Sequence, residues 1–550
     1  MTGPTPRRDA RWSWLIASVV GAIMVVVMTY PTVPKLMTVG RLNNGDGKFS
    51  VWNVGWVARA LIEDPRHLLD ANIFWPHTGT LAYSELNLVA GAFGAPVYAL
   101  THSALAATNA AIVVALWLSF LCAWALVRRL TGSASAGLVA GAAYTFCPYL
   151  LSHTSHVQLL MAFVIPLDFL ALHRLIERPT WSRGVQLGAA VAVSGLACGY
   201  YGIYGGIALG VAAVWFGSRS PRYWLSLALA LLAAGVLVAP VMVSFVRARA
   251  QVAGGPRVTL ESLGTYSSMP IDYVVSGAEA HRLWQPTFED RDPLFPGVIA
   301  LVGAIIAVIG AARSRRMTVS RWTVGGYAVV TLVSVWASFG PKGGLYSVLF
   351  RVVPAIDLLR APSRFGLVAM FAIAVLAGIA VSSARRRTRV VLALTLLVAA
   401  ENAARTTPWG WPSWPLQMAD AVPRAYTVLA TLPHGAVVEF PFPYKSTDLL
   451  NHSRAMLTST YHWQPMVNGY SDVIPNDMYE IMLPINGFPD AASFAIMEAR
   501  HVRYVVWDMR TYNTDSRAAL MARFPAYAQY LKAIVHDDDV WLDEIVSYPK

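Results

Sequence analysis

A carboxylate set between two glycines, in Gly45-Asp46-Gly47, is the group of this chain best placed to take a proton. The glycines let the backbone turn sharply, and Phe49, Trp52, Trp56 and Ala60 then recur at helical spacing, so Asp46 falls at a helix N-terminus. A structural reading makes it the N-cap; a chemical one makes it a general base that accepts the proton of a hydroxyl. Further on, Gly340-Pro341-Lys342-Gly343-Gly344 and the run from Asp357 to Phe365 combine cations with small residues. Arginine forks match phosphate geometry, and glycines leave backbone N–H groups open to an anion, which singles out Arg360, Arg364 and, as a weaker partner, Lys342. The alternative has Arg360 paired with Asp357 and Arg364 reaching along the membrane interface.

The elements that must position these groups are mostly apolar. Of 550 residues 56% are hydrophobic and 13% charged, and the mean hydropathy is +0.47, which excludes a water-soluble chain. A net charge of +12 would suit a nucleic-acid partner in a soluble protein. Here the basic residues cluster in short links between apolar runs, at Arg128/Arg129, Arg174/Arg178/Arg183, Arg219/Arg222, Arg313 to Arg321 and Arg385 to Arg389. That is the positive-inside pattern of a membrane protein, and no nucleic acid is implied. Cys122, Cys147 and Cys198 all fall inside apolar runs, so neither a disulfide framework nor a thiolate metal site is expected.

The run 12–30 is long enough to cross a bilayer and follows Arg7, Arg8 and Arg11, so a retained anchor with a cytoplasmic N-terminus is expected. Ten further runs, near 107–127, 134–151, 156–175, 184–199, 201–217, 223–244, 294–312, 322–339, 363–383 and 389–403, bring the expected crossings to eleven. The run 86–101, interrupted by glycines and Pro96, is left re-entrant or interfacial by the charge parity. This divides the chain into a membrane domain, 1–405, and an extracytoplasmic α/β domain, 406–550. Outer loops occupy 31–106, 245–293 and 340–362. The helix after Asp46 is expected along the membrane surface with its aromatic face in the headgroups. In the tail, strands are expected at 436–440, 502–507 and 540–546, helices at 424–432 and 491–500, a hairpin turn at Asp537-Asp538-Asp539, and a membrane-boundary linker in the tryptophan-rich 408–415.

With its N-terminal anchor, its large acidic first outer loop, its many crossings and its outer C-terminal domain, the chain resembles the GT-C superfamily of polytopic glycosyltransferases. More specifically it resembles uncharacterised bacterial members through WxxxWxxxAL at 52–61, DP at 64–65, NIFWPHTGTLAYSE at 72–85, DLLRAPSRFG at 357–366 and STYHWQPMVNGYSDVIP at 459–475. The resemblance implies a polyprenyl-phosphate-linked sugar donor and an Asp or Glu of the first outer loop as catalytic base, onto which Asp46 maps. It also implies a glycan, lipid or protein acceptor and residence in the bacterial cytoplasmic membrane, in contact with membrane lipid. There is no Asp-Xaa-Asp motif near Asp46, so an inverting, metal-independent transfer with no cofactor is expected.

Under that implication Glu85 is a second acid or an acceptor-binding group, or else a capping or ion-paired residue. His153 and His156, spaced to share a helix face, hydrogen-bond sugar or pyrophosphate; two ligands without a third do not make a metal site. His462, Trp463, Asn468 and Tyr470 suit stacking and hydrogen bonding with a sugar ring, the alternative being a domain core with a turn at Asn468-Gly469. Asp64, before a proline, reads as a turn residue; Asp168, an acid inside the fourth crossing, reads as functional by default or else as paired with a nearby cytoplasmic arginine, its depth being on the wrong side for outer-face chemistry. A transporter of lipid-linked saccharides and an inactive scaffold are the rival classes. The first predicts internal repeats and mid-membrane polar groups, whereas here the polar residues gather at the outer boundary.

Overall fold

The structure is a computed structural model that describes residues 7–250, 252, 258–283, 291–313, 317–383, 388–403, 417–536 and 539–550. The tryptophan-rich linker 408–415 and the turn residues Asp537 and Asp538 lie outside these. The chain forms two compact units, one of residues 1–36, 109–240 and 257–415, the other of 37–108, 241–256 and 416–550. The C-terminal residues thus share their unit with the first loop, where a linear boundary near residue 406 had set them apart.

The first unit is helical. Each of the eleven apolar runs carries helix, beginning with α1, Arg7–Met28. Among the described residues six segments are long and apolar enough to cross a membrane: Arg11–Met28, Ala104–Thr131, Ala134–Ser152, Val157–Glu177, Pro221–Ala248 and Pro362–Ser383. The run 134–151 is broken between Thr145 and Pro148, where the proline lacks the N–H that would continue the ladder. Small residues let the helices approach: a β-carbon on Gly137 would lie 2.6 Å from the Trp124 ring, and one on Gly378 2.8 Å from Val127. The helix Phe365–Ser383 is buried along nearly its whole length. Asp168, expected to pair with an arginine, instead accepts from Ser194 Oγ at 2.7 Å. That hydroxyl lies within the same helix packing, and the Arg129 guanidinium is taken by Glu177.

In the second unit, helices α2 (Gly45–Glu63) and α3 (Leu88–Thr101) precede α4 (Ala104–Thr131). Strands β1 (Val39–Gly40) and β2 (Gln417–Met418) form a short antiparallel pair. Strands β3 (Ala436–Phe440), β4 (Val502–Asp508), β5 (Leu531–Val535) and β6 (Val540–Ile545) form a sheet in the order β3-β4-β6-β5, with β3 and β4 parallel and the other pairs antiparallel. The runs of Val, Tyr and Trp in β3 and β4 are buried on both faces. Val438, Phe440, Val505 and Trp507 point one way, and Val437, Tyr504 and Val506 the other.

The aromatic stripe of α2 belongs to the same hydrophobic core as the first of these faces. Trp52 and Trp56 pack in one cluster with Ile73, Phe74, Tyr83, Val438, Phe440 and Trp507, so the stripe lies in a protein core and not in lipid headgroups. Within the tail Phe488 stacks on Phe440 and Trp507, each at 5.3 Å, and the α2 indoles enlarge the same apolar core. The indole N–H of Trp52 donates to Asn72 Oδ1 at 2.9 Å. Trp52→Phe strands that acceptor and leaves the space of the indole's second ring, so the expected loss is at least about 1–3 kcal/mol of stability, read as a lowered thermal midpoint. An unchanged midpoint would contradict the buried placement.

Candidate functional site

The start of α2 is built from two small-residue requirements. Asn44, in extended conformation, accepts the Gly47 N–H on its side chain at 2.9 Å, so Asn44 and not Asp46 is the cap. A β-carbon on Gly47 would fall 1.8 Å from the Arg41 carbonyl oxygen, which leaves glycine as the residue that fits. Asp46 is thereby held in the first turn, half-buried, at the positive end of a 19-residue helix.

Cations surround this turn. Lys48 is half-buried, and desolvation followed by the nearby Arg454 charge lowers its pKa, against the opposing pull of Asp420. Arg454 is held by Asp508 at 2.5 Å, and Arg510 grips the same carboxylate through Nε at 2.8 Å and Nη2 at 2.9 Å. Asp508 ends β4 and Glu439 lies near the end of the parallel β3, the edge at which open parallel sheets present functional groups. Glu439 accepts from Thr458 Oγ1 at 3.1 Å. Burial first, then the Asp508 charge, pushes its carboxyl up to about 7. None of Lys48, Arg454, Asp508 and Glu439 stood out in the sequence. The available signals were an acid inside or at the end of a hydrophobic strand, in AVVEF and VRYVVWD, and a lysine two residues after the candidate base.

Glu85 is half-buried, and its carbonyl accepts from Asn53 Nδ2 at 3.0 Å. Asp46, Ser50 and Asn53 follow one stripe of α2, so the Glu85 segment lies two turns, about 10 Å, along the helix from Asp46. The tail cluster has other duties. Asn468 is buried; its Oδ1 accepts from Glu439 N at 2.7 Å and its Nδ2 donates to Glu439 O at 2.8 Å, completing the outer edge of β3. His462 is buried, accepts the Gln464 N–H on Nδ1 at 3.0 Å, and is lowered to about 3 by desolvation. Trp463 donates to Tyr98 Oη at 2.9 Å and meets Trp56 edge-on, while Tyr470 meets Phe49 edge-on. The polar atoms of His462, Trp463 and Asn468 that were expected on a sugar are thus engaged in a domain core. The turn expected at Asn468-Gly469 is not formed: a β-carbon on Gly469 would sit 2.7 Å from Phe74, so the glycine serves packing. Asn468→Ala leaves the Glu439 N–H and carbonyl without these partners, with an expected cost of about 2 kcal/mol in a chemical-denaturation midpoint.

In the helical unit His153 and His156 do not share a helix: His153 follows Pro148–Ser152 and His156 precedes Val157–Leu160. His153 stacks on Tyr149 at 4.1 Å and its Nε2 is 3.9 Å from Asp292. Burial lowers the His153 pKa, with Asp292 pulling the other way. Arg364 lies over the Tyr200 ring at 3.9 Å and Arg360 over Tyr266 at 5.6 Å. The turn Gly340–Gly343 packs beside the Pro362–Arg364 turn, with a would-be Gly340 β-carbon 3.4 Å from Pro362, while Lys342 itself is exposed. Among the described residues no group of three or more His, Cys, Asp or Glu could hold a metal.

No family model and no curated protein matches the chain. Solved structures do match, and they define a fold, shared with a mycobacterial arabinofuranosyltransferase, in which six helices among the described residues are long and apolar enough to cross a membrane. The chain superposes on the arabinofuranosyltransferase AftD from Mycobacteria with a TM-score of 0.58 at 14% identity, covering 99% of this chain and 40% of that one. It therefore spans less than half the length of AftD, and at that identity the likeness concerns the fold. An oligosaccharyltransferase from Archaeoglobus fulgidus matches with a TM-score of 0.45 at 12% identity, over 94% of this chain and 73% of the other. ArnT from Cupriavidus metallidurans matches with 0.43 at 14%, over 97% and 98%. These two likenesses are too loose to bear an argument.

Proposed function

We propose that the chain is an integral-membrane glycosyltransferase that moves a sugar from a polyprenyl-phosphate donor to an acceptor hydroxyl outside the cytoplasm. The observation that carries the reading is a half-buried carboxylate, Asp46, at the positive end of α2, two residues before a lysine, Lys48, that feels the charge of Arg454, within a fold shared with an arabinofuranosyltransferase. Asp46 takes the proton of the acceptor hydroxyl as its oxygen attacks the anomeric carbon. The bond from that carbon to the phosphate oxygen breaks, its electron pair leaves with the phosphate, and the anomeric configuration inverts. One carboxylate suffices for such a displacement, and no metal or cofactor is required. Glu85 binds the acceptor.

Cationic groups favour a transition state in which charge builds on the departing phosphate. In the helical unit Arg360, Arg364 and Lys342 bind the donor phosphate, with the Arg364 fork steadied on Tyr200, and His153 and His156 add hydrogen bonds. The basic links contact anionic membrane lipid on the cytoplasmic side.

The test is transfer of radiolabelled sugar from a panel of polyprenyl-phosphate sugars to oligosaccharide acceptors by the full chain in lipid vesicles. Activity that disappears in the Asp46→Asn and Arg364→Ala double variant supports the reading. A double variant that folds and transfers as fast as the parent sinks it.

A further inference from the structure

In the helical unit the helices Val298–Ala312 and Arg321–Ser338 line an open cleft of about 680 Å³. That size lies within the range of about 300–1,000 Å³ usual for small-molecule sites. Its walls are apolar, with Val308 and Ala312 on one helix and Val324 and Ala328 on the other, and Ser320, Arg321 and Trp322 line the end nearest the link between the helices. Val308, Ala312, Arg321 and Trp322 are exposed, so the cleft is reached from outside the chain.

One wall is held in place by a tryptophan pair. Trp322 stacks on Trp215, the last residue of the helix Gly206–Trp215, with ring centroids 4.3 Å apart and planes at 19°. Each indole N–H donates to the other residue's carbonyl, Trp215 to Trp322 at 3.0 Å and Trp322 to Trp215 at 3.1 Å. The pair lies against Gly325, where a β-carbon would sit 3.1 Å from the Trp215 ring. Ser320 Oγ accepts the Thr323 N–H at 3.1 Å, which fixes the turn that presents Arg321 and Trp322. Indoles where an apolar helix meets a charged link suit the headgroup level of a bilayer.

The same pair brings two basic links together. One holds Arg219 and Arg222, the other Arg313, Arg315, Arg316 and Arg321, and no Asp or Glu occurs in 178–260 or in 293–356. The occupant must therefore be apolar along the walls and negative at the link. A neutral lipid matches the walls but not the charge; an inorganic phosphate matches the charge but not the walls. An anionic phospholipid matches both, because its phosphate suits an arginine fork and its acyl chain an apolar groove. It is not the sugar donor. The turn Pro362–Arg364, assigned above to the donor phosphate, packs on Gly340 beyond the far end of the helix Arg321–Ser338, about 27 Å from Arg321.

We propose that this cleft is a seat for one anionic phospholipid, with its phosphate on Arg321 and an acyl chain along Val308, Ala312 and Ala328. This rests on the reading of the basic links as lipid contacts and narrows it to one place; the transfer chemistry does not depend on it.

The experiment places the full chain in phosphatidylcholine nanodiscs with a trace of either phosphatidylglycerol or phosphatidylcholine that carries a photoreactive diazirine on one acyl chain. Label is then mapped by peptide mass spectrometry. The expected result is label on the peptides containing 308–312 and 324–328, about tenfold more from phosphatidylglycerol. Arg321→Gln should lower that preference to about twofold at an unchanged thermal midpoint, since one charge near the surface is worth about a fivefold factor, and Arg321→Lys should keep it. Equal labelling of these peptides by the two lipids in the parent overturns the seat, and so does a preference that Arg321→Gln leaves intact. A preference confined to other basic links overturns the seat and leaves the general lipid contact standing. No preference at any basic link overturns both.

Discussion

Asp46→Asn is expected to slow sugar transfer by roughly a hundred- to ten-thousandfold while leaving the binding of donor and acceptor close to that of the parent. Asparagine has the same shape and cannot take a proton. The cap of α2 is Asn44, so the substitution does not remove it. The part of the helix-dipole interaction lost with the charge is about 0.3–1 kcal/mol, too little to unfold the unit. This separates the two roles that Asp46 could have had at a helix start. A capping residue would show its loss in stability, whereas a base shows it in turnover at a nearly constant melting point. Transfer rates measured at saturating donor, beside a thermal midpoint, decide between them. A variant with parental turnover would remove Asp46 from the chemistry.

The second large effect is a pH dependence set by Glu439. Its carboxyl is buried near Asp508 and Arg454, with Thr458 and Tyr426 against it, and ionises at about 7 in the folded chain against an ordinary value of 4.5. Between these values the unfolded chain has released a proton that the folded chain keeps. Stability from this group is therefore fully present below about pH 4.5, falls as the pH rises, and is lost above about 7. The whole difference is about 3 kcal/mol. Glu439→Gln mimics the protonated form and still accepts from Thr458. We expect it to match the parent near pH 4 and to exceed it by about 3 kcal/mol at pH 8, seen in denaturation midpoints across that range. Identical pH profiles for the two proteins would show that the carboxyl is not held in this environment.

How much of this was legible in the sequence follows from which interactions are local. The apolar runs determined the helices of the membrane unit, because a segment of some twenty residues without charges satisfies its backbone only as a helix. The β3, β4 and β6 runs were legible from composition: Ala436–Phe440, Val502–Asp508 and Val540–Ile545 are short segments rich in Val, Ile and aromatic residues, though each carries one or two charged residues. β5 was not, since Leu531–Val535 is half exposed and short, and its pairing with β6 supplies what its composition does not. Asp46 at a helix start was legible from Gly45 and Gly47. That Asn44 caps the helix was not, because Asn44 and Asp46 are both good caps and the choice falls to the close approach of Gly47 to Arg41.

The direction of the α2 stripe was decided by tertiary structure alone. Trp52 and Trp56 at helical spacing mark an apolar face, and a lipid interface and a sheet satisfy such a face equally well; only the presence of Val438, Phe440 and Trp507 at the other end of the chain decides it. The same holds for His462, Trp463 and Asn468, whose composition suits a sugar and whose hydrogen bonds go to Gln464, Tyr98 and Glu439. It holds again for Lys48, Arg454, Asp508 and Glu439, which lie far apart in sequence and interact through space by way of the helix His452–Ser459 that packs on α2. By itself the sequence determined which segments are apolar, where helices begin, and that one acid stands alone among glycines. The tertiary structure decided what each apolar face covers and which polar groups are already paired, because both depend on contacts between residues hundreds of positions apart, and local pattern carries no record of those.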